Sequence, residues 1–369
     1  MPISTEPYRP DLRHHGDIEA TPGLLDFAVN VHGSEPPDWL LAVLRQELHG
    51  LARYPDPAPA QRALAAVHDV PPECVLVVAG AAEAFTLLAG LPWRRPLVVH
   101  PQFTEPEVAL SAHGHSVERC VLGAPDFCLD GAADALSDDV DLVVVGNPTN
   151  PTSVLHPAQE VLRLLAPGRT LLVDEAFMDT VEPAARPRHS LVAAAAVTPG
   201  LVVVRSLTKT FALAGLRVGF LVAEPALVRV LARRQPHWSV GSLACAAAVA
   251  CTSEVGRQHA AAVRADLPTR LEHLRNGLTA CGLDVVPGPR APFVLARHPG
   301  AAALRTGLRD KGFALRRGDT FPGLGPSWLR VAARDTALTD ELVIAIAAIQ
   351  RSLGDPAAAQ HPRPFRSRT

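Results

Sequence analysis

The sequence predicts an α/β protein, with a mainly parallel sheet covered by helices on both faces and a smaller α+β unit after it. Three observations predict this. From Cys74 onward, short unbroken apolar runs alternate with helical stretches, and strands without polar alternation belong in a sheet buried on both faces. Polar or glycine-containing clusters follow five of those runs, at the strand ends where such sheets bind ligands. After residue 254 the pattern changes to one long helical stretch and then short mixed elements.

Composition narrows the class further. The 369 residues can bury a large core and divide into two domains. A content of 48% hydrophobic and 20% charged residues is that of a folded globular chain. The formal net charge of -2 offers no basic field to nucleic acid or to an anionic membrane. No apolar run approaches the roughly 20 residues of a membrane span. The first residues, among them Pro2, Glu6, Pro7 and Pro10, lack the apolar centre of a signal peptide. Cys74, Cys120, Cys128, Cys245, Cys251 and Cys281 form no Cys-x-x-Cys pair, and most lie in apolar runs. Reduced, buried thiols in a cytoplasmic protein are therefore expected.

Taken in order, residues 1–49 read as an irregular N-terminal arm that joins the small domain, with a helix over 36–45 behind Pro36-Pro37. The turn Tyr54-Pro55-Asp56-Pro57 precedes a second helix over 59–68. Residues 50–253 read as the large α/β domain, with strands at 75–79, 97–100, 142–145, 170–173, 201–204 and 218–222. Residues 254–354 read as the small α+β domain. It has a helix over 254–280, strands near 283–286, 293–296 and 329–331, and helices near 301–311 and 338–352. Residues 355–369 read as a flexible tail.

The chemistry centres on Lys209. Of 35 Lys plus Arg, only Lys209 and Lys311 are lysines. A guanidinium keeps its proton, whereas a lysine of lowered pKa is a nucleophile. Ser206, Thr208 and Arg217 add two hydroxyls and a guanidinium, a set that suits a phosphate beside an aldehyde. Taken alone, Lys209 also reads as an ordinary surface lysine. Asp174 ends an apolar run, where a carboxylate is costly unless paired. The protonated ring nitrogen of pyridoxal 5'-phosphate would pair it; a helix cap or local salt bridge is the alternative. Phe103 is either a core aromatic or a flat surface for that ring. The Asn150 amide suits the ring's phenolate oxygen. Gly80-Ala81-Ala82 opens a helix whose free N–H groups favour a phosphate, or simply makes a tight turn.

In order, five motifs resemble those of the fold-type I pyridoxal-phosphate enzymes, the aspartate aminotransferase-like group. They are Gly80-Ala81-Ala82-Glu83, Phe103, Asn147-Pro148-Thr149-Asn150-Pro151-Thr152, Asp174-Glu175-Ala176-Phe177, and Ser206-Leu207-Thr208-Lys209 with Arg217. Residues 14–352 are similar to the histidinol-phosphate aminotransferases within that superfamily. The resemblance implies a large α/β domain around a mainly parallel seven-stranded sheet and a smaller α+β domain. It implies a Schiff base at Lys209, Asp174 on the ring nitrogen, Phe103 stacked on the ring and Asn150 on the ring oxygen. Ser206, Thr208, Arg217 and the N–H groups of Ala81 and Ala82 would hold the phosphate. Tyr54 would reach the phosphate of the other subunit, in a homodimer with shared active sites. No metal is implied.

One branch, the cobalamin-pathway threonine-phosphate decarboxylases, is the more similar. Its His-Gly-Gly-Asp motif reads His14-His15-Gly16-Asp17 here. Its Asp-Phe-Ser-Ala-Asn-Ile-Asn-Pro stretch reads Asp26-Phe27-Ala28-Val29-Asn30-Val31-His32-Gly33. Phe177 stands in place of the tyrosine usual in the aminotransferases, and Arg330 falls where the family binds an α-carboxylate. Arg316, Asn30, His14 and His32 are expected around a small phosphorylated amino substrate, with a surface salt bridge as the alternative for Arg316. His15 and Ser153 stand where glycine is common. The expected activity is decarboxylation of threonine O-3-phosphate. The alternative is transamination of histidinol phosphate with 2-oxoglutarate. A non-catalytic pyridoxal-phosphate-binding sensor is the reading from another class, opposed by the lack of a helix-turn-helix segment and the near-neutral charge. A dinucleotide-binding protein is opposed by the first strand, which no Gly-x-Gly-x-x-Gly follows.

Overall fold

Alternation along the central strands divides their side chains between two cores. In the computed structural model, which describes residues 10–354, Val143, Val145, Leu171, Val173, Leu201 and Val203 pack into one cluster. Leu142, Val144, Leu172, Val202 and Val204 pack into another. This is the period-two geometry of strands buried on both faces.

In chain order the strands are β1 (Leu25–Phe27), β2 (Val75–Val78), β3 (Pro96–His100), β4 (Glu118–Val121), β5 (Leu142–Gly146) and β6 (Thr170–Asp174). There follow β7 (Leu201–Ser206), β8 (Gly219–Val222), β9 (Asp284–Val285), β10 (Phe293–Arg297), β11 (Phe313–Arg317) and β12 (Trp328–Ala332). The large sheet has seven strands in the order β2-β8-β7-β6-β5-β3-β4. β8 is antiparallel to both neighbours, and the other pairs are parallel. Register brings the important ends level: Gly146 pairs with Asp174, Asp174 with Val204 and Ser206 with Gly219. No strand is expected at β4 from sequence. Its side chains are half-buried or exposed, so no apolar run marks this edge.

The second sheet has the order β1-β11-β12-β10-β9. β1 comes from the N-terminal arm and pairs in parallel with β11, Leu25 opposite Phe313. Neither strand was legible in sequence. Three residues are too few to display a period, and β11 ends on Arg316 and Arg317. Helix Glu254–Ala280 has the expected bounds and is capped by Ser253, whose Oγ accepts from the Gly256 N–H at 3.3 Å. Leu267, Leu271, Leu274 and Leu278 make its buried face, with the three- and four-residue spacing of an amphipathic helix. Helices Ala301–Asp310 and Thr336–Leu353 complete the layer.

The two helices expected in the first part of the chain run Asp38–Glu47 and Ala58–Val67. The six cysteines are free; Cys120 and Cys128 are half-buried and the other four buried. Among the described residues no helix is long and apolar enough to cross a membrane. The tail expected at 355–369 lies outside the described residues.

Candidate active site

A cavity of about 370 Å³ opens where β5, β6 and β7 end. Around it stand Ala81, Ala82, Phe103, Asn150, Asp174, Ser206, Thr208, Lys209 and Arg217, all expected at the cofactor, with Asn30, Arg316 and Arg330, expected at the substrate.

One corner is a nest of donors. Gly80 has φ +78°, the left-handed region open to glycine, and turns β2 into helix Ala81–Ala89. A Cβ on Gly80 would lie 2.6 Å from Arg217 Nη2 and 2.9 Å from its Cζ. The absent side chain is what lets the guanidinium sit over the helix start. The Ser206 and Thr208 hydroxyls bond each other on the adjoining strand end. Two hydroxyls, a guanidinium and first-turn N–H groups converge there, a donor set that matches a phosphate dianion.

Next to this corner, Asp174 accepts the Ala176 N–H at 3.0 Å and has no ion-pair partner among the described residues. Burial pushes its carboxyl up to about 6, against the pull of that N–H and of Lys209. A cation set against it would restore its charge. Lys209 is held down to about 8, by burial first and then by Arg330 and Arg217. At pH 7 about a tenth of this amine is then unprotonated, far more than for an ordinary lysine, as a nucleophile or base requires.

The loop after β5 is cinched by Asn147. Its Nδ2 donates to the carbonyls of His156 (3.1 Å) and His189 (3.0 Å), and its Oδ1 accepts the His156 N–H at 2.8 Å. That loop presents Asn150, whose Oδ1 accepts from Arg330 Nη1 at 2.7 Å. Ser153, where a glycine is common, has φ +63°. Its Oγ accepts the N–H groups of Arg290 (3.0 Å) and Ala291 (2.7 Å), which offset the strained backbone by tying the loop to the second sheet's side.

The substrate side is assembled from distant segments. Arg330, on β12, donates to Asn150 and to the Ala28 carbonyl, and its buried Nε has no partner among the described residues. Arg316, on β11, donates to the His14 carbonyl at 2.5 Å and lies over the Phe321 ring. Burial holds Arg316 down to about 10 and opposes the charge of Arg330 more strongly, with Arg316 adding repulsion. Buried guanidinium groups remain charged, so this corner calls for anions.

Two residues expected at the substrate, His14 and His32, do not line this cavity. The Nε2 of His14 bonds Glu19 at 2.9 Å. The N–H of His32 donates to the Lys209 carbonyl at 2.9 Å. Adjacent residues of an irregular arm point different ways, and sequence spacing does not say which faces the site. Tyr54 lies outside this cavity, 76% exposed and stacked on Trp238 with ring centroids 4.2 Å apart.

Sequence reasoning missed His15, Gly16 and Asp17 as lining residues. The signal for His15 was its place in a motif position usually held by glycine. Glu175 was missed as a support. Fully buried, it accepts from Ser190 Oγ (2.6 Å), the Leu191 N–H (2.6 Å) and Arg205 Nη1 (3.2 Å), which pins the turn that carries Asp174.

Fold and site together define a pyridoxal-phosphate enzyme, and the residues of the cavity fit the group: donors suited to a phosphate, a buried carboxylate suited to a protonated ring nitrogen, and a buried amine. The chain belongs to the family Aminotransferase class I and II, whose model matches residues 22–346. It is 46% identical over 327 residues to a histidinol-phosphate aminotransferase of Mycobacterium tuberculosis, covering 87% of each chain. It is 32% identical over 339 residues to the threonine-phosphate decarboxylase of Salmonella typhimurium, covering 88% of this chain and 90% of that one. The crystal structure of a histidinol-phosphate aminotransferase from Clostridium acetobutylicum has the same fold, with TM-score 0.81 and 24% identity over 89% of this chain and 100% of that one.

Proposed function

We propose that the protein is a homodimeric aminotransferase that takes the amino group from histidinol phosphate and passes it to 2-oxoglutarate. One observation carries the reading. Two buried arginines, Arg316 and Arg330, share a cavity with Lys209 and Asp174, in a chain 46% identical to a histidinol-phosphate aminotransferase. Decarboxylation of threonine phosphate, the first expectation from sequence, moves to second place because its relative is more distant, at 32% identity.

Pyridoxal phosphate, when bound, supplies an electron sink for a bond broken at the substrate α-carbon. Ser206, Thr208, Arg217 and the N–H groups of Ala81 and Ala82 hold its phosphate. Asp174 keeps a proton on the ring nitrogen, and Asn150 donates to the ring oxygen. Phe103 gives the ring a flat apolar face. Lys209, its amine near neutrality, moves the proton at the α-carbon. Arg316 takes the substrate phosphate, and Arg330 takes the carboxylate of the acceptor, with Asn30 beside them. Bidentate guanidinium contacts suit both anions.

Phe177 is the observation that keeps decarboxylation as a second reading. It is buried, packs edge-on to Phe293 with centroids 5.1 Å apart, and has no hydroxyl to share the ring oxygen. The two reactions separate in one assay. Histidinol phosphate with 2-oxoglutarate is expected to yield glutamate, while carboxyl-labelled threonine phosphate releases no carbon dioxide. Carbon dioxide without glutamate reverses the order.

The dimer reading rests on Tyr54 and on the apolar residues exposed near it in the chain or the fold, Leu48, Leu51, Trp238, Val249 and Val255. Mixing Lys209→Ala subunits with Tyr54→Phe subunits should restore activity at one site per heterodimer. A monomer that is active in sedimentation excludes shared sites.

A further inference from the structure

His15 and Glu105 form a pair at the mouth of the cavity that the reaction above does not use. His15 Nε2 lies 2.5 Å from Glu105 Oε1. Glu105 is the first residue of helix Glu105–Ala112, so the carboxylate sits on a rigid element. The same helix start holds the arm a second way, because Thr104 Oγ1 donates to the Leu12 carbonyl at 2.6 Å. On the other flank, Arg316 holds the His14 carbonyl at 2.5 Å. The His15 ring is 5.4 Å from the Phe103 ring, centroid to centroid, and both line the cavity. His15 is therefore held by Glu105 beside Phe103, with the preceding residue tied to Arg316, rather than loose on an arm.

The carboxylate of Glu105 accepts from Nε2–H, which sets the orientation of the ring and leaves Nδ1 for a ligand. Arg316 brings five donors in one plane, and a phosphate has more acceptor positions than one guanidinium fork satisfies.

We propose that His15, oriented by Glu105, is a specificity-determining residue whose Nδ1 hydrogen-bonds the substrate phosphate held by Arg316. This rests on the reading that the substrate is a small phosphorylated amine. That bond is one that an unphosphorylated analogue cannot make, so His15 contributes to discrimination and not to the bond-breaking step.

The test uses the holoenzyme and titrates the cofactor absorbance with histidinol phosphate and with histidinol, and likewise with threonine phosphate and threonine. His15→Ala should weaken binding of the phosphorylated member of a pair about tenfold, the size of a lost charge-assisted bond. Its unphosphorylated partner should bind as before, and kcat should stay within about twofold. His15→Gln, whose amide can still donate, should recover part of the loss. Glu105→Gln should show a smaller loss with the same selectivity. Equal loss for both members of a pair, or no loss, overturns the role of His15. A wild-type enzyme that binds phosphorylated and unphosphorylated members equally overturns the phosphorylated-substrate reading instead.

Discussion

The two walls of the cavity are built by opposite rules. The cofactor wall is made of strand ends in one sheet, levelled by the pairings Gly146–Asp174 and Ser206–Gly219. The substrate wall is made of an N-terminal arm held by arginines from the far end of the chain. Arg316 grips His14, Arg330 grips Ala28, and Arg334 donates to the carbonyls of Asp26, Val29 and Val31. A wall set by a sheet holds its geometry without a ligand. A wall set by side chains on backbone carbonyls can exchange those carbonyls for a ligand's anions. In the function proposed above, the chemistry is thus assigned to the wall where the fold is stiff, and the choice of substrate to the wall where it is adaptable.

The largest effect belongs on the stiff wall. Lys209→Ala should abolish turnover while the cofactor still binds, because the phosphate donors remain. Borohydride reduction followed by peptide mapping checks it: wild type should carry the adduct on Lys209, and an adduct on Lys311 would falsify the assignment. Asp174→Ala comes next, with a loss on the order of 10²-fold in kcat, comparable to removing other preorganised electrostatic groups. Turnover near that of wild type at saturating cofactor would show that the ring nitrogen does not depend on this carboxylate.

A matched pair of substitutions compares the walls directly. A Cβ on Gly80 would lie 2.6 Å from Arg217 Nη2, and one on Gly16 would lie 2.5 Å from the Ala28 carbonyl oxygen. Gly80→Ala should weaken cofactor binding about tenfold, by pushing aside a charge-assisted donor. Gly16→Ala should leave cofactor affinity unchanged and raise KM several-fold, about 1 kcal/mol of binding lost through the displaced arm. Equal effects of both changes on cofactor affinity would mean the walls are not independent.

The same contrast governs what could be read in advance. Lys209, Asp174, Asn150 and Gly80 each follow an apolar run, so a local pattern and one rule about strand ends sufficed to gather them. On the other wall the contacts are non-local. β1 is three residues long and finds its partner at Phe313, and nothing near Leu25 announces it. Arg330 was placed by the family resemblance, and its burial on β12 agrees with a charge that needs a partner. His14 and His32 do not line the cavity and His15 does, a difference that could not be read because an irregular segment has no period from which to deduce which side chain turns inward. β4 was missed for a different reason: an edge strand with exposed positions carries no buried run.

The smallest expected effect asks whether the walls are electrically separate. Lys209 is on the cofactor wall, yet after burial itself the next influence lowering its pKa to about 8 is Arg330, on the substrate wall. Only the neutral amine is acylated, so in cofactor-free protein the labelling rate of Lys209 should climb as pH rises through about 8. Arg330→Gln removes a positive charge that disfavours the lysine's proton. The proton is then held more tightly, the pKa moves up, and labelling at a fixed pH below the midpoint slows. The displacement should be a fraction of a pH unit, because burial, the larger cause, is left in place. Mass spectrometry of the Lys209 peptide across a pH series measures it, with Lys311 as the internal comparison. A midpoint that does not move, or moves down, means that the arginine which is proposed to select the substrate has no hand in tuning the lysine that acts on it.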